Sequence, residues 1–149
     1  VVPEKQELTA SADIGESIPI ISDMIWPGFP SDLTSITVVM ATQVKGTMLI
    51  FEKMFDSRLF FTDKLVSLGA SLVLCDPHRV VVSGPTKMIP GKVTSPDIRA
   101  GMSLLIATLL ADGESIIQNI KQIDRGYEKI DERLNKLGAK IFREEEICQ

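Results

Sequence analysis

Residues 32–74 and 97–142 align end to end with only small insertions, so whatever the first half of this chain folds into, the second half must approximate. A repeat of this kind is one supersecondary unit used twice, and stacking the copies is what buries a continuous core. Each copy opens on an aspartate preceded by proline and serine: Pro30, Ser31, Asp32, then Ser95, Pro96, Asp97. An apolar helical stretch follows and breaks at a glycine, Gly46 or Gly113. Next come a short strand, MLIF or SIIQNI, an arginine, Arg58 or Arg125, and an amphipathic helix. Both of those helices stop on the same three residues, Leu68, Gly69, Ala70 and Leu137, Gly138, Ala139, where a left-handed glycine cap is expected. A final strand, LVL or KIF, closes each copy.

The two kinds of helix belong in different places. Apolar residues recur at Tyr127, Ile130, Leu134 and Leu137 while charged side chains fill the other face, so one stripe is expected to pack and the rest to face water. The stretches 33–44 and 98–111 are apolar nearly all round, Arg99 excepted, and are expected in a core. The strand ending LVLC, the turn Asp76, Pro77, His78 and then RVVVSG predict a β-hairpin with His78 solvated at its tip. A further strand is expected over residues 18–21. The fold class is therefore α/β (α+β), as two tandem βαβαβ-type repeats with apolar helices buried under a sheet. Residues 1–149 form a single partial domain, with repeat one at about 18–84 and the connector and repeat two at about 85–149.

Composition narrows the setting. A 44% hydrophobic and 24% charged content is that of a folded, soluble chain, and a net charge of −4 argues against a dedicated nucleic-acid binder. Cys75 and Cys148 have neither metal-knuckle spacing nor the density of a secreted disulfide scaffold, which points to a reducing cytoplasm. Cys75, inside the apolar run SLVLC, is expected to be buried packing. The start, VVPEKQELTASAD, lacks the pattern of a signal peptide. The longest apolar segment, 102–111, falls short of the roughly twenty residues that span a bilayer, so no membrane association is expected.

Four residues stand out for chemistry. Asp32 and Asp97 each sit at a helix start, where a carboxylate can cap free N–H groups and complement the helix dipole. Asp32 also follows the restricted loop WPGFP, which would hold it beside a cleft. Arg99 lies on an otherwise apolar helix and must find an anionic partner, either Asp97 or a bound carboxylate or phosphate. Arg125, in DRGYE, has Asp124 and Glu128 as ordinary ion-pair partners, and Arg58 holds the equivalent corner of the first copy. The single histidine, and the lack of a phosphate-binding glycine loop or metal-ligand cluster, exclude the common triad, P-loop and zinc chemistries. The residues by themselves predict an anion-handling α/β repeat protein.

WPGFPSDL (26–33), FDSR (55–58), PDIRAG (96–101) and IDRGYEKI (123–130), in this order and spacing, make the chain resemble the C-terminal part of the UDP-N-acetylglucosamine 1-carboxyvinyltransferases, of the enolpyruvyl transferase family. The resemblance covers about residues 25–142. It implies the family's inside-out α/β architecture, two domains of three repeats each with the active site between them, of which this chain supplies two repeats. It implies transfer of the enolpyruvyl group of phosphoenolpyruvate to the 3-hydroxyl of UDP-N-acetylglucosamine, the opening step of peptidoglycan synthesis, with release of phosphate through a tetrahedral intermediate. No metal or organic cofactor is implied.

By the same resemblance Asp32 is the candidate general base at the sugar hydroxyl, and Asp97 works beside Arg99 near the reacting carbon. Arg99 and Arg125 hold the carboxylate and phosphate of phosphoenolpyruvate; Met54, Phe55 and Arg58 contribute to substrate binding. Ser31 and Ser57 stand where threonine and asparagine are usual, and Gln122 replaces a histidine, which bears on the positioning of Arg125. The family's cysteine loop, N-terminal lysine and remaining arginines are not in this sequence, so the chain without the missing N-terminal domain is expected to be inactive. Two alternatives stay open: a fragment like 5-enolpyruvylshikimate-3-phosphate synthase, or a non-catalytic domain binding an anion or a partner chain.

Overall fold

The computed structural model describes residues 7–12 and 14–144; the initial VVPEKQ and Cys148, on which two of the expectations above bear, lie outside the described residues. In the first half, β1 (Ile20–Ser22) and β2 (Gly46–Phe51) are parallel. A parallel pair needs a crossover, and α1 (Thr34–Ala41) supplies it. After α2 (Thr62–Ser67), β3 (Ser71–Asp76) and β4 (Arg79–Gly84) form the expected hairpin. β4 lies beside β2 in antiparallel register, Gly46 opposite Gly84 and Phe51 opposite Arg79, which gives a sheet of order β1-β2-β4-β3. The second half repeats the parallel pair with β5 (Lys92–Thr94) and β6 (Ile116–Gln118), bridged by α3 (Ile98–Leu109). Two short helices follow, α4 (Lys121–Asp124) and α5 (Ile130–Asn135).

The core lies under one face of the larger sheet. Alternation sends Met48, Ile50, Val80 and Val82 inward, where they meet Val38, Val39 and Ala41 of α1 and Ala100, Leu104 and Ala107 of α3. The two apolar helices pack on each other, as their all-round hydrophobicity requires. Leu59, Leu65 and Leu68 close the cluster from the α2 side, each at most 1% exposed. Full burial of such a side chain stabilises by roughly 1.5–3 kcal/mol.

Both predicted glycine caps are present and alike. Gly69 (φ 92°) donates to Val66 O and Ala70 to Leu65 O; Gly138 (φ 102°) donates to Asn135 O and Ala139 to Leu134 O. This pair of bonds is the Schellman arrangement, which needs the left-handed residue that glycine adopts without strain.

Three expectations are corrected. Cys75 is exposed, because β3 is an edge strand with a register shift between Leu74 and Asp76, and alternation there turns residue 75 outward. The KIF segment is not a strand: the Asn135 side chain donates to Ile141 O and accepts from Ile141 N, both at 2.8 Å, and so satisfies the groups a neighbouring strand would pair. The second amphipathic helix shrinks to α5, behind a left-handed Lys129 (φ 48°), with no buried residue and with Leu137 84% exposed.

At Gly84 a Cβ would lie 2.4 Å from Val44 O and 2.7 Å from Ala41 O, backbone atoms of the α1–β2 connection that cannot swing away. Gly84→Ala is therefore expected to lower unfolding free energy by roughly 1–3 kcal/mol. The measurement is a urea melt, with a reduced midpoint at unchanged slope.

Candidate active site

Chain direction places the N-termini of α1 and α3 at the same end of the core. Pro30 leads into a 3-10 turn, Ser31–Leu33, that carries Asp32 into α1, while Asp97 is the N-cap of α3 and Arg99 its second residue. Arg99 Nε donates to Asp32 Oδ1 at 2.5 Å, across 67 residues of sequence. From the corner after β2, Arg58 Nη1 comes within 3.5 Å of the same oxygen. One carboxylate thus sits between two guanidiniums.

The two aspartates, equivalent in sequence, act differently. Asp97 Oδ1 accepts from the N–H groups of Arg99 (2.8 Å) and Ala100 (2.9 Å), the ordinary capping role. Asp32 makes no cap; the 3-10 turn places it ahead of α1 and its partner is Arg99 rather than the helix. The expected Asp97–Arg99 side-chain pair is replaced by this Asp32–Arg99 pair. The Arg99 hydrogen bond holds the Asp32 carboxyl below its ordinary value against the opposing effect of burial, and the charges of Arg99 and Arg58 add to the lowering.

Two adjoining cavities of about 290 and 280 Å3 share Arg99. Asp32, Leu33, Ile36, Ile98, Gly126 and Tyr127 line the first; Phe55, Asp56, Ser57, Arg58 and Asp97 line the second. Arg58 stacks over the Phe55 ring at 4.0 Å. Ser57 turns this corner at φ 62°, a conformation in which asparagine is more at ease than serine.

Arg125 and Met54 are outside both linings. Arg125 Nη1 donates to Gln122 Oε1 at 3.3 Å, and its expected partner Asp124 is taken instead by Arg143. The next two residues, Gly126 and Tyr127, do reach the cavity, so the DRGYE corner borders the site while its guanidinium points elsewhere for a partner. Met54 is half exposed, and its N–H donates to Asp23 Oδ2 at 3.3 Å.

His78 is not merely solvated. Its Nδ1 donates to Glu52 O at 2.8 Å, and Nε2 lies 3.0 Å from Asp56 Oδ1, so the hairpin tip is tied to the Phe55–Arg58 corner. Sequence reading also passed over Glu52 and Asp23, buried acids 0% and 1% exposed behind the site. Each sits in or beside a strand otherwise read only for hydrophobicity, and a lone carboxylate inside an apolar run was the signal that could have found them.

The profile of the family described as EPSP synthase (3-phosphoshikimate 1-carboxyvinyltransferase) matches residues 5–134. The chain belongs to the EPSP synthase family of 1-carboxyvinyltransferases. Within that family it is 57% identical, over 94% of its length, to the UDP-N-acetylglucosamine 1-carboxyvinyltransferase of Treponema denticola. It is 59% identical over 94% of its length to that of Borrelia garinii subsp. bavariensis, and 54% identical over 96% to that of Bradyrhizobium diazoefficiens. The chain spans about 33% of each of these relatives. Among solved structures, the enolpyruvyl transferase NikO from Streptomyces tendae superposes with a TM-score of 0.75 at 28% identity, over 83% of this chain and 28% of that one. The α/β expectation holds, and the enolpyruvyl transferase fold accounts for helices lying inside and the sheet outside.

Because the folded Asp32 titrates below the ordinary 3.8, its ionised form favours the fold at neutral pH, and that contribution is lost as pH falls below 3.8 through the folded value. Arg99→Gln is expected to move the Asp32 titration up toward 3.8, read from the carboxyl carbon by NMR. An unmoved titration would contradict the pairing.

Proposed function

We propose that this chain forms one wall of an enolpyruvyl transferase site that moves the enolpyruvyl group of phosphoenolpyruvate to the 3-hydroxyl of UDP-N-acetylglucosamine, in the cytoplasm and in the service of peptidoglycan synthesis. The observation that carries the reading is the Asp32–Arg99–Arg58 ion cluster lining two joined cavities. The names of the relatives at 54–59% identity favour the nucleotide-sugar acceptor over shikimate phosphate. Among the described residues no helix is long and apolar enough to cross a membrane, and no group of three or more His, Cys, Asp and Glu is placed to hold a metal ion.

The chemistry follows from the charges. An incoming trianion competes for Arg99 and Arg58, whose fixed donors are suited to a carboxylate or phosphate and to charge that builds in the transition state. As Arg99 leaves Asp32, the carboxylate loses the interaction that depressed its proton affinity and becomes a better base. Asp32 then accepts the proton of the sugar 3-hydroxyl as oxygen attacks C2 of phosphoenolpyruvate, while C3 takes up a proton from an acid of the N-terminal part of the whole protein. Return of a C3 proton to that group and departure of phosphate from the tetrahedral intermediate restore the C2–C3 double bond, now in an enol ether. Asp97, fixed by its cap bonds beside Arg99, is the carboxylate nearest the reacting carbon in this scheme. Arg125 joins by swinging from Gln122 toward the anion, and Met54 and Phe55 border the nucleotide sugar. The rest of the site belongs to the N-terminal domain of the whole protein, the chain's proposed partner.

Two measurements test this. Phosphoenolpyruvate added to the chain is expected to raise the pH at which Asp32 titrates. Phosphate release is expected only when the chain is mixed with a complementary N-terminal part, and to fall about a hundredfold or more in Arg99→Ala, the usual cost of removing one preorganised donor. No titration shift and no restored turnover would leave a non-catalytic domain as the reading.

A further inference from the structure

Behind the cavities lies a buried polar chain that the scheme above does not use. Glu52, immediately after β2, is 0% exposed. It accepts from Ser31 Oγ at 2.9 and 3.1 Å and from Phe55 N at 3.2 Å. Ser31 Oγ in turn accepts from Arg58 Nη1, and its neighbour in sequence is Asp32. On the far side stands Asp23, whose carboxylate accepts from Lys53 N and Met54 N. Arg58 therefore donates to Ser31 and Ser31 to Glu52, with Asp23 against the other side of the Glu52 carboxyl.

We propose that Glu52 is a positioning residue of the anion site: gripped by Ser31 Oγ and Phe55 N, its carboxyl sets the spacing between Asp32 and the Arg58 guanidinium. The loops before α1 and after β2 are joined beneath the surface by Ser31, which bonds both Glu52 and Arg58, and Arg58 Nη1 itself lies 4.0 Å from Glu52 Oε2. The inference rests on the reading of these cavities as an anion site, but its mechanical content does not.

Burial first, and then the hydrogen bond to Asp23, push the Glu52 carboxyl above its ordinary 4.5. For Asp23 burial acts upward as well, but the bonds from Lys53 N, Glu52 and Met54 N outweigh it and hold it below 3.8. Of the two, Glu52 is accordingly the one that holds a proton to higher pH. Glutamine copies that state: its oxygen can accept from Ser31 and Phe55 and its NH2 can donate to Asp23. Leucine fills the volume and makes none of the bonds.

The charged and titratable groups around Glu52 are Asp23 at the end of β1, Arg58 and Asp56 at the corner after β2, Asp32 beyond Ser31, and His78 from the β3–β4 turn. A rise in pH through the elevated Glu52 titration removes its proton, sets two carboxylates against each other and loosens the grip. All the other groups remain in Glu52→Gln, so any pH-dependent change that vanishes in that variant belongs to Glu52.

The test uses the full chain, with the side-chain NMR resonance of Arg58 and the affinity for phosphoenolpyruvate as readouts. Glu52→Leu and Ser31→Ala are expected to shift the Arg58 resonance and weaken phosphoenolpyruvate about tenfold, the lower end of the cost of losing a supporting bond. Glu52→Gln is expected to recover most of both and to abolish the loss of affinity that accompanies the Glu52 titration as pH rises. If Glu52→Leu does not fold, Glu52→Gln decides, since it keeps the bonds and removes only the titration: a pH response of the Arg58 resonance that persists in Glu52→Gln overturns the proposal, whereas Ser31→Ala also removes Arg58's own bond to Ser31 Oγ. A wild-type Arg58 resonance in Ser31→Ala, or a Glu52→Gln that behaves as Glu52→Leu, overturns the proposal. Should the wild type bind no phosphoenolpyruvate, the functional reading fails, and the Arg58 resonance in these variants still decides whether Glu52 positions the guanidinium.

Discussion

Helices α1 and α3 carry almost no charge and bury most of their residues, so they are accommodated by packing on each other beneath the sheet, and that packing decides where the charges of this chain meet. Both helices start at the same end of the core. Each is preceded by an aspartate, and α3 also carries Arg99 in its first turn, so burying the apolar faces brings Asp32 and Arg99 to 2.5 Å. The polar site is in this sense a by-product of the apolar contact. Helix N-termini concentrate partial positive charge there as well, which suits a site built for anions.

The electrostatics divide into an outer and an inner layer. Outside, Asp32 and Arg99 form an ion pair open to solvent, backed by the largely buried Arg58. Inside, Ser31, Glu52 and Asp23 are buried and exchange partners only at the cost of leaving a buried polar group unpaired. A labile pair on a fixed layer suits the proposed reaction: Asp32 and Arg99, which would change partners in it, are exposed, and the groups that hold them are not.

Much of the fold was legible because it is written locally. Schellman caps follow from Leu-Gly-Ala after an amphipathic run, the hairpin from Asp-Pro-His between β-rich segments, and the buried helices from long stretches almost free of charge. What failed was anything requiring a neighbour. Cys75 looked buried because its run is apolar, but β3 has a partner on one side only and a register shift beside that residue. KIF looked like a strand, but strand propensity is realised only against a pairing edge, and here the Asn135 side chain does the pairing.

For the site, the sequence by itself determined the inventory: Asp32, Asp97, Arg99 and Arg58 were identifiable from their spacing, their helix-start positions and the family resemblance. Tertiary structure decided the partnerships. It separated a capping Asp97 from an ion-paired Asp32, set Arg125 on Gln122 outside the cavity linings, and revealed Glu52 behind Ser31. The reason is one of range. Caps and periodicity involve residues within a few positions of each other, whereas a hydrogen bond between residues 67 apart exists only once the core between them has packed.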